Sequence, residues 1–305
     1  MKAVVFGGSG FVGSHVADAL SDAGHEVTVA DVEASPHLRD GQAFTTCDVT
    51  DFEAVAAAVA GQDVVYHFAG LADIGETRDR ARETALVNVA GTVNLLEAAR
   101  LAGAHRFVFA STIYVVGDAG SFYRVSKESA ELYVEEYERE FGLAYTILRF
   151  GTLYGRRADD KNSIHRYLRQ ALNERRIEAF GTGEELREYI HVADAARLSV
   201  EILADDYANQ RLILTGHHPL RFRELLTLIR EIIGDDVELD LRKEEADDRL
   251  TRLMTGHYTV TPYSFRQRLT RKLVSSSYVD IGEGLIDVLH EIHEETGAAE
   301  PQPRA

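Results

Sequence analysis

One cysteine, Cys47, is the only thiol in 305 residues. A lone thiol forms no internal disulfide and cannot build a cysteine-based metal site. Its expected role is that of a small, partly buried side chain, and no metal centre is expected. No apolar run reaches the roughly eighteen residues a membrane helix needs, so no membrane association is expected. Basic charge is scarce too. Against 50 Asp and Glu stand 33 Lys and Arg, a formal net charge of −17. That balance excludes nonspecific nucleic-acid binding, which needs a basic surface. Few of the basic residues are Lys, a bias that suits a salt-adapted host or a GC-rich genome equally well. Internal repeats and low-complexity segments are missing. The first strand-like run, Ala3-Val4-Val5-Phe6, starts too early for a signal peptide, so a cytoplasmic protein is expected.

What is present is an ordinary globular composition, 45% hydrophobic, and enough chain for about two domains or one large one. Short β-rich runs occur at Lys2–Gly7, Glu26–Asp31, Ala43–Cys47, Asp63–Phe68, Arg106–Ala110 and Tyr145–Phe150. Helical patterns lie between them at Gly13–Ala23, Asp51–Ala60, Ala85–Ala102 and Ser126–Phe141. Continuous apolar runs such as Val64-Val65-Tyr66 suit parallel strands covered on both faces. Repeated βα units predict an α/β fold with a doubly wound parallel sheet of the Rossmann type. After residue 150 the pattern loosens. Helices are expected at Ser163–Arg175, after Asp194 and at Phe222–Ile233, and one more strand at Arg211–Thr215. Asp235–Asp248 reads as a solvated acidic surface, and the tail beyond Glu295 as frayed. The expected division is a dinucleotide-binding unit over 1–153 and a smaller α/β substrate-binding unit over 154–305. Within the latter, 189–216 returns to the first sheet.

The segment Gly7-Gly8-Ser9-Gly10-Phe11-Val12-Gly13 follows the first strand and opens the first helix. Gly7, Gly10 and Gly13 let backbone approach a pyrophosphate and let helix pack on strand, with Phe11 and Val12 completing the turn. The helix N-terminus then faces the phosphate charge. Asp31 ends the second strand about twenty residues on, placed for ribose hydroxyls and hostile to a 2′-phosphate. NAD is therefore expected over NADP. Asp48-Val49, after the third strand, either borders the adenine, or Asp48 merely N-caps the next helix. Phe68-Ala69-Gly70 ends the fourth strand with small residues that let the chain pass the cofactor. His67 before them reads as a core residue. Asn88, unhelpful inside a helix, is expected to make a structural hydrogen bond beside the cofactor.

Tyr123 and Lys127 stand four residues apart, on one helical face, after a fifth strand ending Ala110-Ser111-Thr112. A free tyrosine titrates near ~10. A neighbouring ammonium and a positive nicotinamide favour the phenolate, which can take a substrate proton as hydride leaves. Lys127 would also hold the nicotinamide ribose. Thr112 would share the substrate oxygen, with Ser111 as the second choice for that role.

These pieces together resemble the extended short-chain dehydrogenase/reductases, in the NAD-dependent epimerase/dehydratase group. The glycine loop, Asp31, His67-Phe68-Ala69-Gly70-Leu71, the run Asn88 to Glu97, Ser111-Thr112 and Tyr123/Lys127 carry the likeness. So do Leu148-Arg149-Phe150 through Tyr154-Gly155, and Arg187-Glu188-Tyr189-Ile190-His191-Val192-Ala193-Asp194. It spans about residues 1–215. The resemblance implies a nucleotide sugar as substrate, with Arg187 on its diphosphate and Phe150 to Thr152 lining nicotinamide and sugar. It also implies a homodimer built on two long helices, near 84–102 and 124–141. Dehydratases of the group usually carry Asp-Glu directly after the Thr. Here those positions are Ile113 and Tyr114, which argues against the common 4,6-dehydration. UDP-glucose 4-epimerases resemble the chain closely around His67 to Gly75, yet most have Asn where Thr152 stands. Arg266, Arg268, Arg271 and Lys272 form a basic cluster, either a solvated surface or an anion site. The expected activity is 4-epimerisation of a UDP-sugar with NAD. A nucleotide-sugar oxidoreductase, an atypical dehydratase and a non-catalytic NAD sensor are the rivals.

Overall fold

The computed structural model describes residues 1–242 and 270–296. Strands β1 (Lys2–Phe6), β2 (Glu26–Asp31), β3 (Ala43–Thr46), β4 (Val64–His67), β5 (Arg106–Thr112) and β6 (Tyr145–Phe150) all enter one sheet. Two later strands join it: β11 (Gln210–Leu214) and β14 (Arg271–Lys272). The order is β14-β11-β6-β5-β4-β1-β2-β3. Every pairing in it is parallel. Strand order reverses between β1 and β4, and in such sheets the ligand crevice opens outside the carboxyl ends at that point.

Side chains that alternate along a strand reach opposite faces. Ala3 and Val5 pack with Leu20, Tyr66 and Leu148 on one face. Val4 and Phe6 pack with Leu96, Phe107 and Ile147 on the other. Helices cover both faces, which is why the strands read as unbroken apolar runs. A third cluster, with Tyr154, Leu168, Phe222, Leu226 and Leu285, contains no residue of that sheet. Its helices are α7 (Ser163–Glu174), α9 (Phe222–Ile233) and the last described helix, Ile281–Thr296. Its strands come in short pairs, β13 (Glu238–Arg242) beside β8 (Arg176–Phe180) and β12 (Leu220–Arg221) beside β9 (Leu186–Arg187).

Several expectations need correction. The helix expected at Ser126 begins at Ser121, because Gly120, in the left-handed region at φ 101°, turns the chain into it. This helix, α6 (Ser121–Phe141), therefore includes Tyr123. The rod expected from Ala85 to Ala102 starts at Ala81 and is interrupted by a π-helical turn, Leu86–Ala90. Part of the stretch read as solvated acid, Glu238–Arg242, is a strand, with Asp240 paired to Arg176 and Arg242. The remainder of that stretch from residue 243, together with Arg266, Arg268 and the tail from residue 297, lies outside the described residues.

α6 is fastened to the sheet by buried charge. Arg149 on β6 gives Glu131 two hydrogen bonds, Nε to Oε1 at 2.9 Å and Nη2 to Oε2 at 2.6 Å. Their side chains are 5% and 0% exposed. One turn on, Arg211 holds Glu135 from Nε at 2.7 Å. Removing one partner of a buried pair leaves the other charge without compensation. Glu131→Ala should therefore cost about 3–5 kcal/mol in urea unfolding. The paired change Glu131→Leu with Arg149→Met should recover most of that loss. Equal losses in both variants would show that the pair itself, not the stranded charge, stabilises the fold.

Candidate active site

The glycine loop is shaped by contacts that no side chain would survive. Gly7, at φ +74°, lies so close to the chain leaving β4 that a Cβ would stand 2.4 Å from the Ala69 amide nitrogen. A Cβ on Gly13 would stand 2.1 Å from the Gly7 carbonyl oxygen. The loop thus folds against the N-terminus of α1 (Phe11–Asp22), for which Gly10 is the N-cap without a side-chain hydrogen bond. The bare backbone leaves the first amides of the helix, which have no intrahelical partner, facing the crevice. Asp31 closes β2 beside the loop. Its Oδ2 accepts from Ser9 N at 3.0 Å and its Oδ1 from Val32 N at 2.7 Å. These bonds fix the carboxylate at the edge where a ribose would lie. The cradle and the acid together fit a dinucleotide whose adenosine ribose is not phosphorylated.

Around this cradle the other expected cofactor residues fall into two groups. Phe68, Ala69 and Gly70 leave β4 over the loop, and the Phe68 ring packs on Phe150 with centroids 6.0 Å apart. Val12, in the first turn of α1, packs against the sheet core. Asp48 does not cap the next helix. Its carboxylate accepts from Thr50 N and Oγ1, both at 2.8 Å, while Asp51 N-caps α2 (Phe52–Val59). Val49 is buried against Gly91, and its carbonyl accepts from Asn94 Nδ2 at 2.9 Å. Asn88 spends its amide on protein partners. Oδ1 accepts from Leu71 N at 2.8 Å, and Nδ2 donates to Leu71 O at 2.9 Å and Ser126 Oγ at 3.0 Å. Ser126 in turn donates to the Tyr123 carbonyl at 2.8 Å. Asn88 therefore ties the loop after β4 to the first turn of α6.

The first two turns of α6 carry Tyr123 and Lys127. The Lys127 ammonium is buried, donates to Ala110 O at 2.9 Å, and lies 4.9 Å from the Phe109 ring centroid and 6.0 Å from that of Tyr123. Burial lowers its pKa from 10.5 to about 8, and the Glu131 carboxylate only partly offsets this. Thr112 is the last residue of β5, and its hydroxyl hydrogen-bonds the Tyr123 phenol. Burial raises the Tyr123 pKa above its usual value, the neighbouring Tyr114 raises it further, and the Thr112 bond lowers it. The protein's own groups thus do not lower the Tyr123 pKa, because desolvation outweighs them. The protein alone keeps this side chain a phenol. A positive charge brought beside it would favour the phenolate.

A pH effect follows. If the ammonium form of Lys127 is needed, it is present below its pKa of about 8 and lost above it. Turnover should then fall as pH rises through that value, measured as kcat/KM across a pH series. A profile flat to pH about 10, near the free-lysine value, would contradict this.

Ser111 does not share the site with Thr112. Adjacent residues on a strand point to opposite faces, and Ser111 Oγ donates to Glu131 Oε1 at 2.5 Å. Its role as second choice is therefore withdrawn; it belongs to the ion pair under α6. Lys272 is likewise no anion ligand, since its Nζ is 2.7 Å from Glu188 Oε2. The Arg271 guanidinium stands over Tyr207, 5.5 Å from the ring centroid. Thr152 opens β7 (Thr152–Tyr154), directly after Phe150 and Gly151. Arg187 is 8% exposed and lies 4.6 Å over the Phe222 ring. Its Nε is buried without a partner, and no carboxylate among the described residues pairs with it. Two contributors escaped the sequence reading. Ser126 could have been noticed inside Tyr-x-x-x-Lys, and Glu131 as an acid on the inward face of α6.

Known proteins resemble this chain over most of its length. A dTDP-glucose 4,6-dehydratase of Mycobacterium tuberculosis is 31% identical over 319 residues, 93% of this chain and 91% of that one. A UDP-glucuronic acid decarboxylase of Arabidopsis thaliana is 27% identical over 274 residues, 81% of this chain but 62% of its own length. The solved UDP-glucose 4-epimerase of Thermus thermophilus, in complex with NAD, shares the fold with a TM-score of 0.77 at 24% identity. That likeness covers 96% of this chain and 99% of that one. The model of the NAD dependent epimerase/dehydratase family matches residues 3–213, from the first strand of the sheet almost to the end of β11. The chain belongs to that family of extended short-chain dehydrogenase/reductases, and NAD is its cofactor.

Proposed function

We propose that this chain is a UDP-sugar 4-epimerase that retains its NAD. The observation that carries the reading is the turn after Thr112. Its first residues are Ile113 and Tyr114, an aliphatic chain and a phenol, so the turn offers no carboxylic acid for eliminating water. The proton chemistry left to the site is that of one phenol and one hydroxyl on a shared oxygen, which suits reversible oxidation of a secondary alcohol.

In this reading residues 1–153 bind NAD and 154–305 mainly hold the sugar nucleotide. Bound NAD would supply the hydride acceptor and donor for the sugar's C4. Tyr123 takes the C4 hydroxyl proton on its phenol oxygen, and Thr112 hydrogen-bonds the same oxygen throughout. Lys127 would hold the nicotinamide ribose. Arg187 takes the diphosphate, an anion for a guanidinium that no carboxylate among the described residues pairs with. Phe150 and Thr152 line the space between. The sugar turns over as the 4-ketone, and Tyr123 returns the proton once the opposite face is presented. The single buried thiol suits a reducing, cytoplasmic setting.

The test uses purified protein with UDP-glucose, UDP-galactose and their uronic acids, without added cofactor. Interconversion at C4 with no accumulation of NADH is expected. Net oxidation that depends on added NAD, with no epimer formed, would replace this reading with a dehydrogenase.

We also propose a homodimer. Phe122, Val125 and Leu132 recur at helical spacing on α6 and remain 45%, 46% and 46% exposed. A helix stripe of this kind needs a partner, and a second copy of α6 supplies one. Leu132→Glu should shift the protein to monomers in sedimentation velocity. An unchanged dimer would place the interface elsewhere.

A further inference from the structure

We propose that Tyr114 is a second phenol of the active site, a specificity-determining residue that donates a hydrogen bond to the sugar between its C4 oxygen and its diphosphate. The inference rests on the sugar-nucleotide reading above and adds to it a residue that fixes which sugar is held.

Position is the first support. Thr112 ends β5, and the 3-10 turn Ile113–Val116 follows at once. The Thr112 hydroxyl accepts from Tyr114 N at 3.3 Å, so the residue that shares the substrate oxygen also sets the start of this turn. Tyr114 is thereby placed two residues beyond the site's central hydroxyl, at the carboxyl edge of the sheet.

The second support is how its ring is held. Gly120 is the N-cap of α6, and a Cβ there would stand 3.1 Å from Tyr114 Cβ and 3.2 Å from its Cγ. The base of the ring therefore leans on the backbone that launches the helix of Tyr123 and Lys127. A side chain braced against backbone is preorganised, and its hydroxyl needs little further ordering to bind.

The third support is electrostatic company. Tyr114 is close enough to Tyr123 to raise that phenol's pKa, and the Arg187 guanidinium acts on Tyr114 in the opposite sense. These two neighbours mark the ends of a bound sugar: the oxygen that loses its proton, and the phosphate at the anomeric carbon. Burial pushes the Tyr114 pKa up to about 12. At neutral pH it is a neutral donor, unable to take a proton from carbon as a carboxylate could. A neutral donor also repels neither a hydroxyl nor a carboxylate on the sugar.

Tyr114→Phe keeps the braced ring and deletes only the hydroxyl. Calorimetric binding of UDP-glucose is compared with that of UDP alone, in wild type and variant, alongside steady-state kinetics with each UDP-sugar the wild type accepts. The extra affinity contributed by the sugar should drop about threefold to tenfold, the worth of one ordinary hydrogen bond. UDP affinity and NAD content should not change, and KM should rise more than kcat falls. A variant that binds UDP-glucose and UDP as the wild type does overturns the proposal, and leaves the epimerase reading intact. A wild type that epimerises nothing, yet shows the Tyr114-dependent sugar increment, refutes the reaction and upholds this contact.

Discussion

Tyr123→Phe should lower turnover of the nucleotide sugar by about a hundredfold to ten-thousandfold, the range for losing a positioned acid/base. The ring stays, and with it the packing over Lys127, whose Nζ lies 6.0 Å from its centroid. Ser126 keeps its bond to the backbone carbonyl of residue 123, which the substitution does not touch. Only the phenol oxygen and its bond to Thr112 disappear. Bound NAD and melting temperature should therefore match the wild type, because nothing that shapes the glycine cradle has moved. The measurement is initial-rate kinetics on protein whose NAD content has been quantified after denaturation. Full activity in the variant would mean that another group carries the proton, and the proposed chemistry would be wrong. A loss of NAD along with activity would instead mark Tyr123 as part of the cofactor's hold.

Gly13→Ala should abolish retention of NAD. The added carbon would stand 2.1 Å from the Gly7 carbonyl oxygen, 2.8 Å from its carbonyl carbon and 2.9 Å from Gly8 Cα. All three are backbone atoms, so no rotamer change relieves the clash, and α1 must draw away from β1. Overpacking of this kind costs about 1–3 kcal/mol in stability, and it deforms the loop that approaches the pyrophosphate. Gly10→Ala is the informative contrast. Its Cβ would meet only the Gly7 oxygen, at 3.4 Å, and its φ of −78° is open to any residue. That variant should melt like the wild type. If it nonetheless loses NAD, the lost space is space the cofactor uses. If Gly13→Ala keeps its NAD, the loop is not where the pyrophosphate lies.

Much of the sheet could be read from sequence because its signals are local. Each central strand is a short apolar run, and each is bounded by a glycine, a cap or a helical period. The cofactor loop was legible for the same reason: three glycines at fixed spacing have few uses other than close approach. Tyr123 and Lys127 were found by spacing, but their electrostatics were not, since burial and the Ala110 carbonyl are tertiary facts. Ser111 was misjudged although strand alternation would have separated it from Thr112. What hid the answer was its partner Glu131, twenty residues away, whose meeting with Ser111 is set by tertiary packing. Asp48 and Asp51 are both good capping residues three positions apart, and only the observed geometry chooses Asp51. The short pairs β13–β8 and β12–β9 bring together segments far apart in sequence. Two-residue strands such as β9 and β12 carry no periodicity to detect. β14 joins the sheet edge beside β11 through residues that read only as basic charge.

The π-helical turn at Leu86–Ala90 has a consequence for how this rod tolerates a change of length. Such a turn holds one residue more than regular winding would, and deleting a single residue there would let the rod rewind as ordinary α-helix. The wide turn has already absorbed that residue, so the two flanks would keep their register, whereas one residue lost from the regular winding at 91–102 would swing everything beyond the cut by about 100° about the axis. A loss within 86–90 would disturb only the span around Asn88, which ties Leu71 to Ser126. A loss within 91–102 would turn the buried residues of the rod, Leu95 and Leu96 among them, away from the core, so the codon lost from the regular stretch should be the more damaging of the two.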